Sequence, residues 1–436
     1  MSSLRPAKLF PLLLPAGLAL AGLSGSYLVP IDHQAIQYSK APVDDAIARL
    51  QRRLDSGEVK LKSDDSFGYL RSVLRALDVP ESSQVLVFSK TSFQAPRIAP
   101  RTPRALYFND RVAVGFVRTG EVLEFASLDP RLGIIFYTLD QENAAHPRFD
   151  RRDTCLQCHQ SGGTLGVPGL VVRSVYPDST GMPLFHAGTF VTDHRSPLRE
   201  RWGGWYVTGT HGDTTHMGNA IVPDRSQADK LETAGTQNLT SLYGKVDAGA
   251  YLTPHSDIVA LMTLEHQTQM ANLLIRVGWE ARLALYDNAA MSKALNRPEG
   301  QLSESTRHRI DSAAEELVGY LLFSGETRLT APIKGTSDFA REFEKAGPRD
   351  SQGRSLRRFD MQTRMFRYPC SYMIYSEAFE GMPAEVKDRI YRRLWEVLGG
   401  KDTSAPFAHL SAADRLAIYQ ILRETRSGLP NYWASL

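Results

Sequence analysis

Cysteine is scarce in this chain: three in 436 residues, at positions 155, 158 and 370. That number excludes a scaffold stapled by several disulfides. Charge of one sign is also lacking, since 51 Lys and Arg stand against 48 Asp and Glu for a net charge of +3. With no long basic run and no basic stripe interleaved with aromatics, no nucleic-acid partner is expected. There is no internal repeat and no low-complexity tract. The remaining composition, 42% apolar and 23% charged, is that of a globular protein with a real core. Its length, as a prior, suggests two or three domains or one elaborate one.

Two of the three cysteines lie within one short run, Cys155-Leu156-Gln157-Cys158-His159. Thiols three positions apart can each form a thioether to a vinyl group on one edge of a porphyrin. The adjacent imidazole is then placed to bind the iron axially. Structural zinc would want a second ligand pair at comparable spacing, and Cys370 is isolated. A thioredoxin-like redox pair would be expected near a βαβ pattern, which is not found. Zinc, redox exchange and accident stay as alternatives.

The run resembles the c-type cytochromes. Residue by residue the resemblance covers only Cys155 and Cys158, as thioether anchors of one covalent haem c, and His159, as proximal iron ligand. The text around Phe185–Asn219 is similar to an uncharacterised exported bacterial cytochrome-c-domain family. The small all-helical cytochrome c fold is not implied, because here the motif follows a run of strands in a much longer chain.

Arg5 and Lys8 precede an apolar stretch, Leu9–Leu23, which is followed by Ser24-Gly25-Ser26. That is the order of a secretory signal. The stretch is shorter than the roughly 20 residues of a spanning helix, so residues 1–26 read as a signal peptide or an uncleaved N-terminal anchor. Membrane contact is expected only through such an anchor. The c-type resemblance implies haem attachment outside the cytoplasm, which agrees with a periplasmic or otherwise exported protein.

Helical spacing is expected over 43–55 and 69–77. Short β-branched and aromatic runs at 85–88, 105–108, 112–117, 122–125 and 134–139, separated by turn residues, predict an antiparallel meander. A polar segment, 141–154, leads into the motif, and a further strand is expected over 170–176. Residues 181–250 are rich in Gly, His and Trp. Helices are expected over 256–284, 305–322, 337–345, 384–398 and 412–425, the last with Ser411 as N-cap. The chain therefore reads as α+β, with a strand-rich haem-bearing region over 27–250 and a helical region over 251–436 packing on it.

A haem iron bound by His159 has a second axial position. The candidates are His211, His216 and Met217, in a Gly-rich loop that begins at Trp202. His266 is another, on an apolar helix that also carries the polar Glu265, Gln267, Gln269 and Asn272. For His266, a satisfied core histidine is the favoured reading. His186 and His194 are weaker candidates. His211, His216, Glu265 and His266 together have the chemistry of a second metal site. Arg354, Arg357, Arg358, Arg364 and Arg367 could meet haem propionates, although a solvated basic face is the favoured account. Cys370 reads as a buried small apolar residue.

The function expected is electron transfer, with a redox partner protein or a small-molecule electron donor or acceptor. The alternative is a haem-dependent oxidoreductase with an open distal site. In it Arg199, Arg201, Trp202, Trp205, Tyr206 or His211 would polarise a bound ligand or relay electrons.

Overall fold

A computed structural model of the chain describes residues 28–142, 146–298 and 300–434. The leader expected over 1–26 lies outside them. Two helices come first, α1 (Ala46–Asp55) and α2 (Leu70–Ala76). The β-branched runs then form β1 (Val85–Val87), β2 (Arg104–Phe108), β3 (Val112–Phe116), β4 (Val122–Asp129) and β5 (Gly133–Asp140). With β6 (Phe149–Arg151) they pair in chain order as a six-stranded antiparallel meander. Side-chain carboxyl and amide oxygens set its corners. Asn109 Oδ1 accepts from the N–H groups of Arg111 and Val112, and Asp129 Oδ1 from those of Arg131 and Leu132. β6 falls in the segment expected to be a polar connection, and three residues are too few for alternation to show.

Strand residues alternate between the two faces of the sheet. One face carries Phe116, Leu123, Phe125, Tyr137 and Leu139, all buried. It packs on the N-terminal elements: Phe67 meets Phe116, and the Tyr137 hydroxyl donates to Asp45 Oδ2 at 2.7 Å. Asp45 also caps α1 through Oδ1. The other face carries Leu106, Ala113, Gly115, Glu124, Ala126, Phe136 and Thr138, as the pairings of Leu106 with Gly115, Gly115 with Glu124 and Ala126 with Phe136 require.

After the motif helix α3 (Leu156–His159), β7 (Arg173–Val175) and β8 (Thr189–Val191) form a small hairpin. The strand expected over 170–176 is shortened because the backbone of Leu170 bonds to a side chain of α4 (Ile258–Ala294) instead of to a strand. The 181–250 region is mostly irregular. It contains β9 (Gly209–Thr210), which pairs with β10 (Lys334–Gly335). Then come α5 (Glu304–Leu321), α6 (Phe339–Lys345), α7 (Glu377–Glu380), α8 (Ala384–Leu398) and α9 (Ala412–Thr425). Ser411 and Asp414 cap α9 reciprocally. α4 runs ten residues beyond the expected end. It is buried almost all round as far as Trp279 and far more exposed beyond. The class is α+β, and buried residues from α1 to α9 belong to one continuous core. Among the described residues no helix is long and apolar enough to cross a membrane.

Candidate functional site

The motif stands on a single helical turn. A short 3-10 turn, Asp153–Cys155, leads into α3, and Gln160 ends the helix in an extended conformation. The turn is fastened at its back, where the Gln160 amide donates to the carbonyls of Val29 (2.7 Å) and Gly166 (3.2 Å). Ser161 and Thr164 then cap the next turn reciprocally. Cys158 is exposed and Cys155 half-buried, and both thiols are free. Burial pushes the Cys155 thiol up. That is opposite to the activated thiolate of a redox pair.

His159 is held in one tautomer. Its Nδ1 lies 3.0 Å from the carbonyl oxygen of Gly169. A carbonyl only accepts, so Nδ1 carries the proton and Nε2 keeps its lone pair. Gly169 N–H in turn donates to the His159 carbonyl at 2.9 Å. Burial lowers the pKa of the imidazole against the pull of that carbonyl, which keeps the ring neutral, as a metal ligand must be. Phe136 of β5 lies against the ring, with centroids 4.8 Å apart.

Gly169 is fixed from behind by α4. Asn272, fully buried, accepts from Leu170 N–H at 3.1 Å and donates to the Leu170 carbonyl at 2.7 Å. A Cβ on Gly169 would fall 2.2 Å from Asn272 Oδ1 and 3.0 Å from Thr164 Cβ. Asn272 stands out in the sequence as a polar residue on an apolar helix that needs a partner. Nothing in the sequence marks Gly169.

These residues fit a covalent haem. They offer two free thiols on one turn, one of them exposed, and a neutral imidazole whose Nδ1–H is tied to a carbonyl, the arrangement that orients ligating histidines. Nearby, Arg104 of β2 pairs with Glu124 Oε2 of β4 at 2.5 Å, while its buried Nε has no acceptor. Ser92 and Gln94 also bond to Glu124, at 2.9 and 2.7 Å.

The distal candidates have other partners. His211 Nδ1 donates to the Thr214 carbonyl, and its Nε2 accepts from Asn238 N–H. His216 Nδ1 accepts from Gly218 N–H, so in the neutral ring Nε2 holds the proton and no lone pair. Burial pushes His216 down to about 3. The Met217 sulfur lies 3.5 Å from the Ser174 hydroxyl. His266 is fully buried, with Nδ1 2.8 Å from His194 Nδ1 and Nε2 2.8 Å from Ser371 Oγ. It is thus the satisfied core histidine, with partners supplied by His194 and Ser371. Among the described residues, none of the four shares a hydrogen bond or ring contact with His159. His186 is exposed.

The second-metal grouping does not form. His211 and His216 meet ring to ring at 4.7 Å, but Glu265 is bonded to Arg201 (3.0 Å) and Thr192 (2.6 Å). Among the described residues, no three His, Cys, Asp or Glu side chains converge on a metal position. Arg201, Trp202, Trp205 and Tyr206 are buried, and Arg201 is engaged by Glu265. Of the arginine run, Arg358 and Arg367 are exposed as expected, and the other three are not. Arg354 pairs with Asp350 at 2.6 Å, Arg364 with Asp414 at 2.7 Å, and Arg357 with Asp110 between the Phe343 and Tyr372 rings. Arg357 and Arg364 brace the helical region because carboxylates from other elements, Asp110 and Asp414, meet them, whereas Asp350 lies in the same loop as Arg354. Cys370 is buried as expected, its thiol pushed up to about 12 by burial.

No family model, no curated protein and no solved structure matches this chain.

Proposed function

We propose that this protein is an exported monohaem c-type cytochrome that transfers electrons through one haem c. Cys155 and Cys158 would hold the group as thioethers, and His159 would be its proximal ligand. The observation that carries the reading is the fixed tautomer of His159. Its Nδ1–H is tied to Gly169, its Nε2 has no hydrogen-bond partner among the described residues, and Cys155 and Cys158 on the same turn carry free thiols. When bound, the haem supplies a one-electron ferric/ferrous couple. The chain orients the imidazole through Gly169, raises its basicity through that hydrogen bond and shields one side of it with Phe136. The partner would be a redox protein or a small-molecule electron donor or acceptor in the periplasm or a comparable exported location. Membrane contact would come only through an uncleaved leader.

A specific observation favours a second reading, a haem-dependent oxidoreductase with an open or exchangeable distal site. His211, Met217 and His266 have their ligating atoms engaged, and His216 carries its proton on Nε2. An optical spectrum of the purified holoprotein separates the two. A low-spin, six-coordinate haem in both oxidation states supports the carrier. A high-spin ferric haem that binds cyanide readily supports the enzyme. Replacing Cys155 and Cys158 by Ala is expected to abolish haem staining on a denaturing gel, and staining that persists would reject both readings.

A further inference from the structure

We propose that the outward face of β2–β5 is the bed on which the flat of the haem macrocycle lies; this rests on the haem reading above. The first ground is continuity with His159. The ring against which His159 lies, Phe136, is the cross-strand partner of Ala126, and Ala126 is the partner of Ala113. Cross-strand partners point to the same face. One row therefore starts beside the proximal ligand and crosses two strand spacings, about 10 Å.

The second ground is size. Sheet faces favour β-branched and aromatic residues, and the opposite face of these strands carries them. Along this row Ala126, buried, and Ala113, half-buried, present only methyl groups and so add no bulk of their own against a flat apolar group. Gly115, in the next row, makes room for the Arg104 side chain, since a Cβ there would lie 2.7 Å from the guanidinium.

The third ground is exposure. Ala113 and Leu106 lie on internal strands of the sheet, yet both are only half-buried. Arg104, ion-paired to Glu124, bounds this surface on the β2 side. A tethered macrocycle is the occupant whose anchor lies at the end of the same row. A peptide or a second copy of the chain would have no such tie to Cys155 and Cys158.

The direct test is methyl NMR on alanine-labelled protein. Ferric, haem-loaded wild type is compared with the Cys155→Ala/Cys158→Ala variant. The Ala113 and Ala126 methyl signals are expected to shift or broaden with haem, while that of Ala417 on α9 stays in place. Haem attached with both sheet methyls unmoved overturns the bed and leaves the haem reading intact. No covalent haem in wild type overturns both. As a second measurement, Ala113→Phe is expected to keep one covalent haem per chain and an unchanged far-UV CD spectrum, while its Soret CD falls at least twofold. Unchanged Soret CD in that folded, loaded variant overturns the proposal, and so does a dimer in wild type that Ala113→Phe dissolves without touching the Soret signal.

Discussion

Gly169 ties the candidate iron ligand to the rest of the core, and the consequences of changing it can be read from its neighbours. In Gly169→Ala the new methyl group meets Asn272 Oδ1 at 2.2 Å, so the Gly169 carbonyl must move away from His159. Overpacking of this kind costs about 1–3 kcal/mol, measurable as a lower urea midpoint of the apoprotein. With the proposed haem bound, the hydrogen bond that would raise the basicity of His159 weakens. The acid transition in which the imidazole would leave the iron is therefore expected at higher pH than in wild type. Asn272→Ala reaches the same point from the other side. It leaves the Leu170 N–H and C=O without their side-chain partner in a partly buried place, about 1–3 kcal/mol in all. A loss below 1 kcal/mol in Asn272→Ala would show that the clamp does not hold. Of this arrangement the sequence displays its two ends, His159 and the polar Asn272 on an apolar helix. The glycine between them has no side chain to announce it, and the partnership of residues 272 and 170 is a long-range contact with no local signal.

Among the elements, α4 links the site to the C-terminal helices. Its N-cap is more than a cap. Asp257 Oδ1 accepts from Val259 and Ala260 N–H, while Oδ2 accepts from Thr336 N–H, Ser337 N–H and the Ser337 hydroxyl. An ordinary cap is worth about 1 kcal/mol, and Ser303 at the head of α5 is such a cap, accepting from Thr306 N–H. Asp257→Ala also strips partners from the segment between β10 and α6, so a loss of about 3 kcal/mol or more is expected, against about 1 kcal/mol for Ser303→Ala. Equal urea midpoints for the two variants would reject this. Elements with strong periodicity were legible in advance: β1–β5 of the meander, α1, α5, α8 and α9. β6, β9 and β10 were not, being two or three residues long and defined only by their partners. His266 sits six residues before Asn272, about 9 Å along the axis and on a different side of the helix. Spacing alone therefore allowed His266 as a ligand, whereas the packing turns it toward Phe323 and Ser371.

For the whole molecule, the buried histidines set a pH dependence whose sign can be worked out. Burial holds His194, His216 and His266 neutral, with His216 and His266 pushed down to about 3, whereas an unfolded histidine titrates near 6.5. Below about pH 6.5 the unfolded chain therefore binds protons that the folded chain refuses, and stability falls as the pH drops. Glu265 acts in the opposite sense. Burial pushes it up to about 7, against the pull of Arg201, so the folded state binds its proton first and gains stability as the pH falls toward 4.5. Burial also raises Glu316 and Glu326 and lowers His159 and His211, so five lowered histidines stand against three raised carboxyls. The net direction between pH 6.5 and 4.5 is loss, and the loss steepens below 4.5, where the carboxyls no longer compensate. Urea midpoints of the apoprotein at pH 7.5, 5.5 and 4 should fall in that order. His266→Gln separates this effect from general acid unfolding. The variant should be less stable at pH 7.5, because the paired ring nitrogens are lost. Its stability should then decline more gently below pH 6.5, by up to about 1.4 kcal/mol per pH unit, the worth of one proton. A slope equal to that of wild type would mean that His266 is not the neutral, buried group its contacts with His194, Ser371 and Phe323 make it.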